Sequence, residues 1–522
     1  MEQMPAPHLL AGGLLQACLA MGADAPADAA PVWVFFAEDR AMPASIGDTA
    51  LSPRAVSRRA LRRTLPGLFD RHDVPVCAEH ADAVAGTGAR VRITSRWLNA
   101  VSAVATPAQR AALAALPAVT HVEPVGRGRA GWQDEREGPP PEGWTAATDY
   151  GASIDQLRQI DLPRLHAWGK TGAGMVIGVL DTGFNRVHEA FNQPGHPLQV
   201  IAEWDFINND GNTGMQAGDD PNQHKHGTWI LGTMGAYMPG TLVGGAFDAQ
   251  FVLAKTENVP TETPIEEDWY VAGLEFVESH GADVATSSLG YIDWYTQADL
   301  NGTTAVTTVG VNIATANGMV CVTAAGNDGH DADPATSTII APADAFNVIT
   351  CGAADLGGNM AGFSSSGPTA DGRLKPEVTA CGVSTVTVNS TNATGLAGVS
   401  GTSLSTPLVA AAAACILQAR PEYGVAGLRE ALFATASRSD GAGLHPDPMF
   451  VEGHGLVRAF DAALRGRSIA DLNLDGAVSG ADLGIVLGRW GITGEPGLVF
   501  GDLNGDGTIN GVDLGFVLGN WG

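Results

Sequence analysis

The chain carries short, unbroken apolar runs that stop abruptly at polar, glycine-bearing corners. Met175-Val-Ile-Gly-Val-Leu180 and Met319-Val-Cys-Val-Thr-Ala324 are two of them. A continuous apolar run of this length reads as a strand buried on both faces, as in a parallel sheet covered by helices. The Ala-rich run Leu408 to Leu417 reads as a buried helix, with Pro407 in its first turn, where a missing N–H costs nothing. Upstream, Val32-Trp-Val-Phe-Phe36 and Val91-Arg-Ile-Thr94 read as strands. Pro107 to Leu116 reads as a helix and Thr120 to Val125 as a closing strand. The pattern predicts an α/β protein. A mostly parallel, doubly wound sheet is expected over 149–466, after a small α/β region over 31–126.

The corners hold the chemistry. The first apolar run ends in Asp181-Thr-Gly183, the second in Ala325-Gly326-Asn327. Between them stands His224-Lys-His226-Gly-Thr228, followed by an apolar helix start. Gly401-Thr-Ser-Leu-Ser-Thr-Pro407 places Ser403 at the N-terminus of the Ala-rich helix, where free N–H groups and the positive dipole end can stabilise an oxyanion. A hydroxyl alone is a poor nucleophile and needs a base, an orienter and a second oxyanion donor. His226, Asp181 and Asn327 are the candidates; His224 lacks the Gly-Thr context. Asp-Thr-Gly is also the signature of aspartic hydrolases, which need two carboxylates sharing a proton. The chain has no second Asp-Thr-Gly or Asp-Ser-Gly.

The order Asp, His, Asn, Ser with these flanks resembles the subtilisin-like serine proteases (subtilases) over roughly residues 150 to 465. Ser287-Ser-Leu-Gly290, Phe363-Ser-Ser-Ser-Gly-Pro368, Lys375-Pro-Glu377 and Gly453-His-Gly-Leu-Val-Arg-Ala459 extend the likeness. The resemblance implies that Ser403 is the nucleophile, His226 the general base and acid, Asp181 its orienter and Asn327 an oxyanion donor. Ser288, Leu289 and Gly290 correspond to an edge strand that pairs with substrate backbone. Ala324, Ala325 and Gly326 would line the same cleft. Val378-Thr-Ala-Cys-Gly382 departs from the family's usual Ala-Pro-Gly. Two other readings stay open: an aspartic-type hydrolase using Asp181, and a non-catalytic binding protein.

The C-terminus is duplicated. Asp471-Leu-Asn-Leu-Asp-Gly476 recurs as Asp502-Leu-Asn-Gly-Asp-Gly507, and each copy runs through Asp-Leu-Gly to Gly-x-Trp-Gly. Such spacing offers oxygen ligands to Ca²⁺. The first loop has Asp471, Asn473, Asp475, the Ala477 carbonyl, Ser479 and Asp482; the second has Asp502, Asn504, Asp506, Thr508, Asn510 and Asp513. One helix follows each loop, Ala481 to Trp490 and Val512 to Trp521. Residues 469–522 resemble dockerin domains, which implies a cohesin-like partner and a tether to a scaffold or surface. Gly480-Ala481 and Gly511-Val512 stand where many dockerins carry polar recognition residues. The subtilase resemblance adds calcium in the catalytic region, with no legible ligand set.

At 522 residues several domains are expected. A net charge of −27 argues against nucleic-acid binding and suits a soluble secreted protein that takes up Ca²⁺; the subtilase resemblance implies protein or peptide substrates, and a monomer is expected. Leu9 to Met21 resembles a signal-peptide core within 1–29, although Met1-Glu-Gln-Met lacks positive charge. No other stretch is long and apolar enough to span a membrane, the run at 408–417 being too short. The six cysteines (Cys18, Cys77, Cys321, Cys351, Cys381, Cys415) form no dense framework; free core thiols are expected, with a bridge from Cys381 left open. Residues 31–126 resemble the inhibitory prodomain of subtilases, and 127–148, rich in Gly, Pro and charge, read as the linker cut on maturation. Arg54, Arg58, Arg59, Arg62 and Arg63 form a basic patch, read either as complementary to an acidic catalytic body or as a solvated helix face.

Overall fold

The chain divides into two units. One runs to Leu51 and resumes at Phe69–Pro124; the other joins Ser52–Leu68 to everything from Val125 onward. The structure is a computed structural model that describes residues 26, 28–125, 135, 137–140, 149–259, 266–292, 294–439 and 445–522. The expected signal core, Cys18 and most of the linker at 127–148 lie outside the described residues.

The first unit is a four-stranded antiparallel sheet. Its order is Arg90–Ser95, Ala100–Ala105, Ala30–Phe36, Val119–Pro124. Val32, Val34, Val101 and Ala103 alternate onto one face and meet Val84 and Leu113 from the helices Ala78–Gly86 and Pro107–Ala114. Thr106 caps the second helix: its hydroxyl accepts from Gln109 N, and the Gln109 side chain accepts from Thr106 N at 2.8 Å. The strand Ala100–Ala105 and the helix Ala78–Gly86 were not legible, because neither shows a clean apolar period.

The second unit is built on seven strands, every adjacent pair parallel. Their order is Val378–Cys381, Ile349–Ala354, Val320–Ala324, Val284–Ser287, Val176–Asp181, Gln250–Lys255, Gln199–Asp205. Residues alternate between two helical layers. Ile177 and Val179 join the core formed by helices Lys225–Gly235 and Thr402–Ala419. Gly178 and Leu180 face the opposite layer, Glu266–Ser279, where Leu180 approaches Gly273. This is the expected doubly wound arrangement. The Lys375-Pro-Glu377 motif serves the sheet: buried Glu377 accepts from Lys375 Nζ at 2.7 Å, from Arg429 at 2.9 Å and from Thr350 N at 2.8 Å.

Pro407 is not in the first turn. The helix begins at Thr402, so Pro407 is interior and leaves the carbonyl of Ser403, four residues back, without its helical donor. The hydroxyl of Ser288 fills that place, donating to Ser403 O at 2.8 Å. The helix is also longer than the apolar run foretold. Its 18 residues would pass for a membrane span by length and composition, yet it is buried in the core of this unit.

At the C-terminus, helices Gly480–Gly488 and Gly511–Gly519 pack around Leu472, Val486, Leu503, Ile509 and Val517. Phe500 also touches Trp168 edge-on, 5.5 Å between centroids.

A Cβ on Gly178 would lie 2.6 Å from the Val277 Cβ, so the central strand and its covering helix meet at backbone distance. Gly178→Val is expected to lower stability by about 1–3 kcal/mol in urea unfolding. An unchanged midpoint would contradict this packing.

Candidate active site

The strand order reverses between Val176–Asp181 and Val284–Ser287, whose chain continuations leave in opposite directions along the sheet. A crevice opens at such a reversal, outside the carboxyl ends of the strands. Asp181 is the last residue of one strand, and Ser288 follows the last residue of the other.

His226 is brought to Asp181 by the helix Lys225–Gly235. The approach needs glycine at 227, where a Cβ would strike the Gly183 carbonyl and sit 3.1 Å from the Asp181 Cβ. His226 Nδ1 donates to Asp181 Oδ1 at 2.7 Å. The same oxygen accepts from Thr182 N at 2.7 Å, which fixes the carboxylate. Both side chains are buried. His224 points elsewhere, with Nε2 3.1 Å from the Ser390 carbonyl.

Ser403 is the second residue of its helix, after Gly401 at the N-cap. Its Oγ donates to the Ser288 carbonyl at 3.2 Å, the return half of the exchange made across Pro407. Asn327 follows the strand Val320–Ala324 and is held by its own oxygen: Oδ1 accepts from Thr402 N at 2.9 Å. That grip turns Nδ2 toward the crevice.

Nδ2 finds a carboxylate there. Glu135 Oε1 accepts from Asn327 Nδ2 at 2.8 Å, and Glu135 Oε2 lies 3.6 Å from His226 Nε2. A Cβ on Gly401 would collide with the same carboxylate. The Glu135 carboxylate therefore lies between a side-chain amide donor and the outer nitrogen of the imidazole. Two residues on, Glu137–Gly138 pairs antiparallel with Leu396–Val399. The Glu137 carboxylate accepts from Ser390 Oγ at 2.6 Å and from Trp229 Nε1 at 3.3 Å. Burial pushes the His226 pKa down, but the charge and hydrogen bond of Asp181, aided by Glu135, outweigh it and raise the pKa to about 10.

The other expected residues fall out unevenly. Ser288 sits against Ser403, and the Gly326 carbonyl accepts from Thr402 Oγ1 at 3.1 Å. Ser287 ends a strand that is paired on both sides, and Ser288, Leu289 and Gly290 continue past its carboxyl end. Leu289 and Gly290 are buried, with Gly290 closed off by Ile340, and Tyr291 bridges to Ala341. Ala324 is interior to the sheet, and both backbone groups of Ala325 are taken, N by Cys351 O and O by Ile340 N. The five described cysteines are free.

In the C-terminal loops the two copies bond alike. Asp471 accepts from Asp475 N and Gly476 N, as Asp502 does from Asp506 N and Gly507 N. Asp482 and Asp513, both buried, accept from Leu472 N and Leu503 N and from the N-cap residues Ser479 and Asn510. Asn473 and Asn504 donate to Asp475 and Asp506. Among the described residues no group of three or more His, Cys, Asp or Glu side chains converges as a metal site.

Thr182 and Thr402 stood inside quoted motifs and could have been singled out as positioners. Glu135 could not: an acid in a Gly- and Pro-rich linker carries no signal.

Known proteins are similar to this chain in sequence and fold. A model of the subtilase family matches residues 172–455, and one of the peptidase S8 propeptide domain of Bacteroidota matches 31–136. Subtilisin E of Bacillus subtilis (strain 168) is 29% identical over 389 residues, 74% of this chain and 86% of that protein. A subtilisin of Bacillus pumilus is 32% identical over 308 residues, 59% of this chain and 97% of that protein. The solved structure of fervidolysin from Fervidobacterium pennivorans, a keratinolytic enzyme related to subtilisin, shares the fold. Its TM-score is 0.55 at 21% identity, over 84% of this chain and 61% of that one. The chain belongs to the subtilase family, and it is a serine protease.

Proposed function

We propose that the protein is a secreted endopeptidase, made as a zymogen, that cuts peptide bonds with Ser403, His226, Asp181 and Asn327. The observation that carries this reading is the Glu135 carboxylate held between Asn327 Nδ2 and His226 Nε2. It marks the spot an oxyanion would occupy. Once the linker leaves, Ser403 Oγ turns from the Ser288 carbonyl toward His226 Nε2 and attacks the substrate carbonyl as His226 takes its proton. Asn327 Nδ2 and the Ser403 N–H hold the oxygen as it gains charge. His226 then protonates the leaving amine, and water releases the acyl group. Asp181 keeps the Nδ1–H tautomer and stabilises the imidazolium. An aspartic mechanism and a non-catalytic role both give way to the serine-protease assignment.

Asp181 first, and Glu135 after it, raise the His226 pKa to about 10, so the ring is protonated in this form. The linker thus occupies the proposed oxyanion site and adds to the charge that keeps the base protonated. The propeptide match over 31–136 supports export in this latent form.

The C-terminal repeats support a second role, a calcium-stabilised tether of dockerin type. Burial raises the Asp471 pKa, and nearby Asp482 adds to the effect. Asp471, Asn473, Asp475 and Asp482 in the first loop, and Asp502, Asn504, Asp506 and Asp513 in the second, are hard oxygen donors suited to Ca²⁺. Bound Ca²⁺ would neutralise these carboxylates. Leu487, Trp490, Val512, Leu518 and Trp521 are each about half exposed on this short segment, a face fit for a cohesin-like module.

Casein hydrolysis by matured protein should fall at least about 1,000-fold in Ser403→Ala. Asn327→Ala should lose about 100–1,000-fold in kcat with KM little changed, the range established for a subtilisin's own side-chain donor. Full activity in Ser403→Ala would end the serine reading.

Glu135→Gln, in the Ser403→Ala zymogen, should lower the His226 titration midpoint from about 10 as followed by NMR. The folded pKa lies above the ordinary 6.5, so this charge stabilises the closed form fully below pH 6.5 and fades as pH rises through about 10. An unmoved midpoint would show that Glu135 does not act on His226.

Ca²⁺ should raise the unfolding temperature of the C-terminal segment in the full chain, read by tryptophan fluorescence. Asp482→Ala with Asp513→Ala should abolish the rise. No rise in wild type would dismiss the calcium reading.

A further inference from the structure

The propeptide match spans 31–136, yet residues 52–68 cluster with the peptidase unit. The reason is the helix Pro53–Arg62, whose arginines turn inward. Arg58, Arg59 and Arg62 are buried, each under 5% exposed. Arg58 and Arg59 both bond the buried Glu278 carboxylate, the latter at 2.9 Å. Arg54 and Arg62 grip the two oxygens of Asp283, each at 2.5 Å. Main-chain oxygens take several of the other N–H groups. Arg58 donates to Ala282 O at 2.7 Å, Arg54 to Gly174 O at 2.8 Å, and Arg62 to Tyr423 O at 3.2 Å.

Three features make this more than surface charge pairing. The acceptors form a mixed set of carboxylates and carbonyls at the end of helix Glu266–Ser279, where the dipole is negative. A planar, five-donor guanidinium matches such a set and a lysine ammonium does not. The body has also made room: a Cβ on Gly281 would meet Arg54 at 2.7 Å, and one on Gly318 would meet the Arg62 backbone at 2.6 Å. Finally, Asp283 Oδ2 accepts from Val176 N at 3.0 Å, the first residue of the strand that ends in Asp181. Asp283 itself directly precedes the strand Val284–Ser287. The cluster therefore lies at the amino ends of the strands, opposite the candidate active site.

We propose that Glu278 and Asp283 form a guanidinium-reading docking site at the amino edge of the sheet, and that the helix Pro53–Arg62 stays there as a bound structural chain of the active peptidase. Opening the catalytic crevice does not touch this site. Removing the helix would strip Glu278 and Asp283 of their guanidinium partners, which is far more costly than never having built the pairs. The inference rests on the maturation cut of the preceding reading, and its test does not need that cut to be self-made.

A site-specific protease sequence placed within 126–134 of the full-length Ser403→Ala chain allows the linker to be cut on demand. Gel filtration of the cut protein should show the fragment bearing residues 52–68 eluting with the peptidase body, in molar salt as well. In Arg58→Lys/Arg62→Lys, and separately in Asp283→Asn, the fragment should dissociate at least about 100-fold more readily. In self-matured wild type, intact-mass analysis of the active fraction should find the helix still present. A fragment that separates freely from the wild-type body would overturn the proposal. So would variants that hold it as tightly as wild type, or full activity with the helix gone and stability unchanged.

Discussion

The strand reversal beside Asp181 is the constraint on which the rest depends. Parallel strands deliver their carboxyl ends to one edge, and the reversal between Val176–Asp181 and Val284–Ser287 parts the chain at that edge. Into the gap come a histidine from one helix, a serine from another and an asparagine from a strand end. None of these is local to the others in sequence. Their spacing is set by backbone contacts such as Gly227 against Gly183, and by Ser288 standing in for the donor that Pro407 lacks.

Buried charge is handled by pairing throughout. Lys255, fully buried one strand away from Asp181, meets Asp205 at 2.9 Å and Asp219 at 2.8 Å. His226 lies between Asp181 and Glu135. Glu278 and Asp283 meet four arginines. A lone buried ion is expensive, so each of these groups ties its neighbourhood to a partner from a distant part of the chain. That linkage lets a short linker and a short helix act on a large body. The Glu135 carboxylate follows the same rule, accepting from Asn327 Nδ2 and standing 3.6 Å from His226 Nε2.

Much of this was legible in the sequence because the candidate reacting groups sit at strand ends and helix starts, where apolar runs stop. Asp181, Asn327, His226 and Ser403 all occupy such corners. Position within an element was harder. Pro407 looked like a helix start because its neighbours are small and polar, but the buried helix runs back to Thr402. The arginines of Pro53–Arg62 left both an inward and an outward reading open, since burial of a charge depends on acids more than 200 residues away. Glu135 was invisible for the same reason: its partners are the crevice itself.

The most direct test is covalent. A fluorophosphonate probe reacts with a serine only when a base and an oxyanion site activate it. Matured protein treated with the probe and mapped by tandem mass spectrometry should carry one adduct, on Ser403, and the uncut zymogen should carry little. An adduct on another residue, or none on matured protein that still hydrolyses casein, would contradict the account.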